Sequence, residues 1–204
     1  QLVTVLADLI DKQTDPTLAP YAKVGEVTLR LSTKADSQEE ANLRLNQLEE
    51  EILQRDHLRV FFYAYGDDNS LVKTVATLLE EEKQSLGILE NGTGGLLQAE
   101  LSLALAGQPY YSGGKIIGQL GTESGGLSEE ASRIREELQA DLGLVVSVAV
   151  KPESTVDNVL AKVYLALAST SGISKKEVDL GGYSWQYLRQ LACLQALDFV
   201  RNTL

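Results

Sequence analysis

Residues 85–97 read SLGILENGTGGLL, from Ser85 to Leu97. An apolar run from Leu86 to Leu89 meets an acid, an asparagine and a glycine-rich turn, and a helical apolar pattern resumes at Leu96. The stretch therefore reads strand, tight turn, helix. Gly92, Gly94 and Gly95 let a backbone approach closely, and the free N–H groups that open the following helix favour an anion such as a phosphate. A plain strand-to-helix connection without a ligand has the same spacing, so the turn alone leaves both readings open.

Working outward, Asn69 or Ser70 caps a preceding helix whose apolar positions Leu71, Val72, Val75, Leu78 and Leu79 share one side, with Glu80 to Glu82 in solvent. After the turn, Leu96, Leu97, Leu101, Leu103, Ala104 and Leu105 continue as a largely buried helix that stops at Gly107 and Pro109. Tyr110 to Gly118 suggests a short strand, and Ser128 opens a helix that runs to Gly143. Leu144 to Val150 and Val159 to Ala168 are apolar runs of the kind found in central strands buried on two faces. A final helix spans about Ser184 to Asn202, with Leu188, Leu191, Ala192 or Leu194, and Phe199 on its buried stripe. Alternating helices and strands with short connections predict a three-layer α/β/α domain over a mixed sheet, from residue 70 to residue 204.

The first 69 residues have a different rhythm. Leu2, Val5, Leu6, Leu9 and Ile10 recur at helical spacing and stop at the turn Thr14 to Pro16. Val27, Leu29 and Leu31 alternate with polar residues as a strand. Ser37 and Glu40 form a capping box for a helix with Ala41, Leu45, Leu48 and Ile52 on its buried side. Leu58 to Tyr65 reads as a second strand ended by Gly66. Helix, strand, helix, strand describes a small split α/β subdomain over residues 1–69.

Composition narrows the function. The chain has 204 residues and a formal charge of −11, and both subdomains are acidic, which disfavours direct nucleic-acid binding because a DNA binder needs a basic footprint. No apolar run reaches the roughly 20 residues of a membrane span, and the opening residues lack the features of a signal peptide. A single cysteine, Cys193, excludes an internal disulfide framework and fits a reducing, cytoplasmic compartment; its apolar helical setting reads as a buried inert thiol. His57 is the only histidine and cannot make a metal site by itself. The chain contains no methionine, even at position 1, which points to a natural N-terminus further upstream.

Two groups of motifs carry a family resemblance. The run TDPTLAPYAKVGEVTLRLSTKA, the acidic helix after it and YGDDNSL resemble the KH-like middle segment of the CinA family. The order TLLEEEKQSLGILENGTGGLLQAELS, YYSGGKIIG, LSEEASRIREEL, VSVAVKPES, KVYLALAS and LACLQALDFVRNTL resembles the family's C-terminal domain. The resemblance implies a molybdopterin-binding-like domain upstream and, in active relatives, a nicotinamide-nucleotide amidohydrolase that converts nicotinamide mononucleotide to nicotinic acid mononucleotide and ammonia, with no cofactor. It also implies RecA as a candidate partner and a pyridine nucleotide as the ligand. A two-fold homodimer is the expected assembly.

Amide hydrolysis of this kind needs a nucleophile, a group that takes its proton, and N–H donors for the oxyanion. The family pattern at the turn is AESxTGG or AESxTAG, with serine as nucleophile. Here the positions read LENGTGG, which keeps Glu90, Thr93, Gly94 and Gly95 as substrate- or phosphate-binding candidates and puts Asn91 where the serine stands. Thr93 is a weak candidate for the missing nucleophile, since an unactivated hydroxyl attacks poorly. Lys115 does not fall on the family's lysine position, and the segment GGKIIGQLGTE is shorter before the next helix. In Ser147 to Pro152, Val148 and Lys151 replace two glycines of the family's TGxAGP turn and are expected to fill space left for a ligand. The family's arginine near the last helix aligns with Trp185, or with Ser184 after a one-residue shift, so a phosphate clamp is lost there. The expected state is a retained framework with a degenerate, catalytically impaired site. An active amidohydrolase using Thr93 and a nucleotide-binding sensor are the alternatives.

Overall fold

The computed structural model describes residues 2–118 and 124–204 and, among these, every side chain except those of residues 57, 124 and 125. The His57 side chain and the end of the segment GGKIIGQLGTE thus lie outside the described residues. The chain divides into two compact units, Gln1–Asp67 and Asp68–Leu204.

In the first unit, helices α1 (Leu2–Val5) and α2 (Ala7–Lys12) precede strands β1 (Thr17–Ala22) and β2 (Val27–Ser32), which form an antiparallel pair, and helix α3 (Gln38–Gln54) follows. Ser37 caps α3 as its motif requires, its Oγ accepting the Glu40 N–H at 3.1 Å. Leu6, Leu18 and Ile52 make the buried centre, with Leu2, Leu9, Leu29, Leu31 and Leu48 packed around it. Strand β1 carries Pro20, a residue that counts against a strand in sequence. It is tolerated because β1 pairs with β2 alone and remains an edge.

The expected second strand is not formed. Arg55–Val60 is a 3-10 helix and residues 61–65 are irregular. The aromatic run has strand propensity but the local ionic ties favour a coil against α3. Arg55 pairs with Glu51 and with Asp8, and Arg59 pairs with Glu50. The hydroxyls of Tyr63 and Tyr65 then donate to Glu26 and Glu49.

The second unit starts with α4 (Leu71–Glu81), capped by Ser70. It continues through β3 (Leu86–Asn91), α5 (Leu96–Ala104), β4 (Tyr111–Ile117), α6 (Ser124–Glu137), β5 (Leu142–Val150), β6 (Val159–Ser169), β7 (Gly172–Tyr183) and α7 (Trp185–Arg201). The sheet order is β4-β3-β5-β6-β7, with β3 parallel to both β4 and β5 and the rest antiparallel. The fold is mixed α/β. One face is covered by α6, whose Leu127, Ala131 and Ile134 pack on Leu89, Val145, Ala166 and Ala168. Helices α4, α5 and α7 pack together, with α7 seated on β5, β6 and β7.

Several boundaries differ from the sequence reading. Helix α6 starts at Ser124, so Ser128 lies inside it with its hydroxyl oxygen buried and unpartnered rather than acting as a cap. The helix ends at Glu137, and Gly143 belongs to β5. A Cβ at Gly143 would sit 2.1 Å from the Ala131 carbonyl oxygen, so this glycine permits close helix-on-strand packing instead of ending a helix. Leu103 points outward at 78% exposure, since α5 buries only Leu97 and Leu101 along its length. Strand β7, absent from the sequence reading, is a sheet edge without fully buried residues, and the lysines and acids at 175–177 and 179 mask its strand character in the sequence.

Candidate functional site

Strand β3 delivers Glu90 and Asn91 to the C-terminal end of the parallel strands, where open α/β sheets gather ligands. The chain then turns through Gly92, Gly94 and Gly95, all with positive φ, and enters α5. Space also requires glycine at 92, whereas at 95 a Cβ would meet only the end of the exposed Ile116 side chain. A Cβ at Gly92 would lie 2.8 Å from the Val148 Cβ, and one at Gly95 would lie 2.5 Å from Ile116 Cδ1.

Glu90 is fully buried and spends its carboxylate inside the fold. Its Oε1 accepts the Gln98 N–H at 2.9 Å, and its Oε2 accepts the Leu97 N–H at 3.3 Å and the Thr93 hydroxyl at 2.5 Å. The residue at the N-cap, Gly95, has no side chain to do this. Glu90 therefore caps α5 from the preceding strand, with its negative charge at the positive end of the helix dipole. Two of the N–H groups that the sequence offers to a phosphate are occupied by the chain's own carboxylate.

Thr93 does have a carboxylate neighbour, which the sequence reading had not supplied. Yet the residue has no exposed surface, and an attacking oxygen must come within about 3 Å of its carbonyl carbon. As folded, this hydroxyl is sealed from substrate.

Asn91 is 8% exposed and both ends of its amide are engaged. Its Nδ2 donates to the Ile117 carbonyl at 3.1 Å, and its Oδ1 accepts from the Ser147 hydroxyl at 3.2 Å. The side chain thereby ties β3 to β4 on one side and to β5 on the other. Ser147 is itself buried, and its partnership with Asn91 follows from their register pairing across β3 and β5.

The remaining sequence candidates separate. Lys115 turns its ammonium to Glu137, whose carboxyl is held below its usual range by that contact. Val148 is buried against Gly92, in the space expected for it, whereas Lys151 turns to Asp179 at 2.7 Å. Ser184 is the N-cap of α7 and Trp185 its first residue. The residue missed by the sequence reading is Arg189. Its Nε donates to the Thr93 carbonyl at 2.9 Å, and its outer nitrogens lie over Gly94, whose hypothetical Cβ would be 3.1 Å from Nη2. Arg189 lies four residues after Trp185, on the same face of one helix, and no local sequence pattern links it to the turn. Below the turn, burial and the nearby Glu90 charge push the Cys193 thiol up to about 12, so it is no nucleophile at neutral pH. Burial, with the Glu90 charge, also raises the Tyr111 hydroxyl.

Residues 1–64 match the family model described as the damage-inducible protein CinA KH domain. Over all 204 residues the chain is 82% identical to a competence-damage inducible protein of Streptococcus suis strain 98HAH33. The chain belongs to the CinA family. It spans about half the length of the curated relatives it matches, covering 52% of the Streptococcus suis protein. A CinA-type relative from Streptococcus agalactiae strain NEM316 is 37% identical and is covered to 54%; that alignment runs over 227 positions against 204 residues here, so 23 positions have no residue in this chain. Among solved structures, the CinA superfamily protein from Escherichia coli aligns with a TM-score of 0.54 at 18% identity, covering 72% of this chain and 98% of that one. The superfamily protein from Enterobacter cloacae aligns at 0.51 and 20% identity, covering 69% and 97%. At these identities the likeness is one of fold. Among the described residues, no helix is long and apolar enough to cross a membrane.

Proposed function

We propose that the second unit is a catalytically impaired relative of the CinA nicotinamide-nucleotide amidohydrolase and that it acts through protein contacts in a competence or DNA-damage setting. The observation that carries this reading is the state of Asn91. At the position where the resemblance implies a serine nucleophile stands an amide that cannot form an acyl-enzyme, with its oxygen and nitrogen both committed to neighbouring strands. The neighbouring hydroxyls are both fully buried and engaged, that of Ser147 donating to the Asn91 oxygen and that of Thr93 to the carboxylate that caps α5. RecA is the partner the resemblance supplies, and a homodimer the assembly.

The test is ammonia release from nicotinamide mononucleotide. The natural chain is expected to show no turnover, and Asn91→Ser is expected to remain inactive because Val148 closes on Gly92 beside it. Turnover by the natural chain, abolished by Thr93→Ala, overturns the proposal.

A second reading is favoured by Arg189, whose guanidinium lies over the glycine turn with its Nε tied to the Thr93 carbonyl. In that reading the site binds an anionic pyridine nucleotide without hydrolysing it. Thermal unfolding with nicotinamide mononucleotide decides it, because a ligand of the native state must raise the midpoint. An unchanged midpoint for every pyridine nucleotide removes the sensor reading.

A further inference from the structure

Asn91 and Gly92 form the only Asn-Gly pair in the sequence. Such a pair carries intrinsic chemistry: the backbone nitrogen of the glycine can attack the asparagine side-chain carbonyl, and no Cβ on the glycine obstructs it. A bond forms between Gly92 N and Asn91 Cγ, the Cγ–Nδ2 bond breaks, and the amide nitrogen leaves as ammonia with the proton from the attacking N–H. The resulting five-membered succinimide takes up one water at either carbonyl, giving aspartate or isoaspartate. One water is consumed, one ammonia is released, and nothing is oxidised or reduced.

The fold opposes each part of this step. Asn91 is the last residue of β3 and is register-paired on both sides, with Ile117 and with Ser147. An extended residue holds the next backbone nitrogen away from its own Cγ, so ring closure needs a rotation that disrupts both pairings. The leaving nitrogen, Nδ2, is held by the Ile117 carbonyl, and the carbonyl oxygen by the Ser147 hydroxyl. We propose that Asn91 is a fold-gated deamidation site, stable while β3 is clamped between β4 and β5 and converting when that end of the strand opens.

Conversion is self-reinforcing. A carboxylate at 91 only accepts hydrogen bonds, so the Ile117 carbonyl loses its donor and a second charge is set beside the buried Glu90. A chain that has once stayed open returns to a less favourable fold. The yield of ammonia is one per chain, which separates this chemistry from turnover of an added nucleotide.

Peptide mapping by mass spectrometry with isoaspartate detection tests the gate on samples held at mildly alkaline pH. The natural chain in urea is expected to convert at Asn91 at least about tenfold faster than the folded chain, because local opening limits the folded rate. Folded Ser147→Ala is expected to convert about fivefold faster than the natural chain, the population change given by one ordinary hydrogen bond. Ser147→Thr, which keeps the donor, is expected to stay near the natural rate. No conversion in urea overturns the site, equal rates in urea and in the folded chain overturn the gate, and a Thr variant as fast as the Ala variant overturns the role of the hydroxyl. If Ser147→Ala does not fold, the folded and urea samples of the natural chain decide the proposal between them.

Discussion

In Gln1–Asp67, the buried centre consists of Leu6, Leu18 and Ile52, and around it lie ionic groups: Arg44 between Asp15 and Glu40, Arg55 between Asp8 and Glu51, Arg59 on Glu50. In Asp68–Leu204, β3 is buried at all six positions and β5 at its first seven, and among the described residues the charges at that core are reduced to Glu90. The difference shows what each unit depends on. The first is short of apolar burial and its irregular segment is placed by hydrogen-bonded charges, whereas the second is placed by a sheet covered on both faces. A small unit buries a lower share of its surface, so it has less to spare when a contact is lost.

The largest test falls on the buried charge of Glu90 in the second unit. Glu90→Ala leaves the Leu97 and Gln98 N–H groups and the Thr93 hydroxyl without their acceptor, and is expected to lower stability by about 4 kcal/mol. Glu90→Gln keeps an oxygen in place and should cost clearly less. Urea unfolding of both variants measures it, and equal losses would mean that charge rather than capping is what matters. Next in size, Leu6→Ala removes a side chain with no exposed surface from the small centre and is expected to cost about 3 kcal/mol. Tryptophan fluorescence reports the second unit, since the only tryptophan is Trp185. The comparison of the units survives if far-ultraviolet circular dichroism shows an early transition that the fluorescence does not follow. One shared transition would mean that the units unfold together.

The smallest effect is that of acid. The Asp8, Asp15 and Glu50 carboxyls lie below their usual range, lowered chiefly by the Arg55 guanidinium, the Lys34 N–H and the Arg59 guanidinium respectively. A carboxyl depressed in the folded state adds stability that is fully present above its unfolded value and is lost as pH falls through the folded one. Between about pH 5 and about pH 2 the first unit should therefore weaken. In the second unit Glu137, Asp141 and Asp179 are lowered in the same sense, chiefly by Lys115, the Ser85 N–H and Lys151 respectively, but there the loss is set against a larger apolar core that does not titrate. Chemical denaturation at a series of pH values should show the steeper decline in the first unit, and parallel declines would remove the contrast.

Much of this architecture was readable from residue order. The Ser37 and Ser70 caps, the apolar runs of β5 and β6 and the glycine turn after β3 each announce an element through local chemistry, and all three kinds of signal correspond to the structure. What failed depended on partners distant in sequence. The run from Leu58 to Tyr65 has strand residues but its guanidinium neighbours hold it to α3. Pro20 hid β1, whose freedom as an edge is a property of the sheet. At the turn, the sequence placed Glu90, Asn91 and Thr93 together, but the directions of their polar atoms are set by Ser147, Ile117 and α5. Arg189 reaches the turn from α7, 96 residues from Thr93, and no short motif spans that distance.

The position of Glu90 bears on how such turns are recognised in other chains. An acid in an AES-like segment is easily scored as part of a reaction centre, yet here the same residue closes the first turn of a helix and would be needed for that whether or not any amide were ever cleaved. A search that counts this acid together with the glycines collects every descendant that still folds, including those that have stopped turning over substrate. Under the function proposed above, the position to score apart from that acid is the next one along, and in this chain it is Asn91.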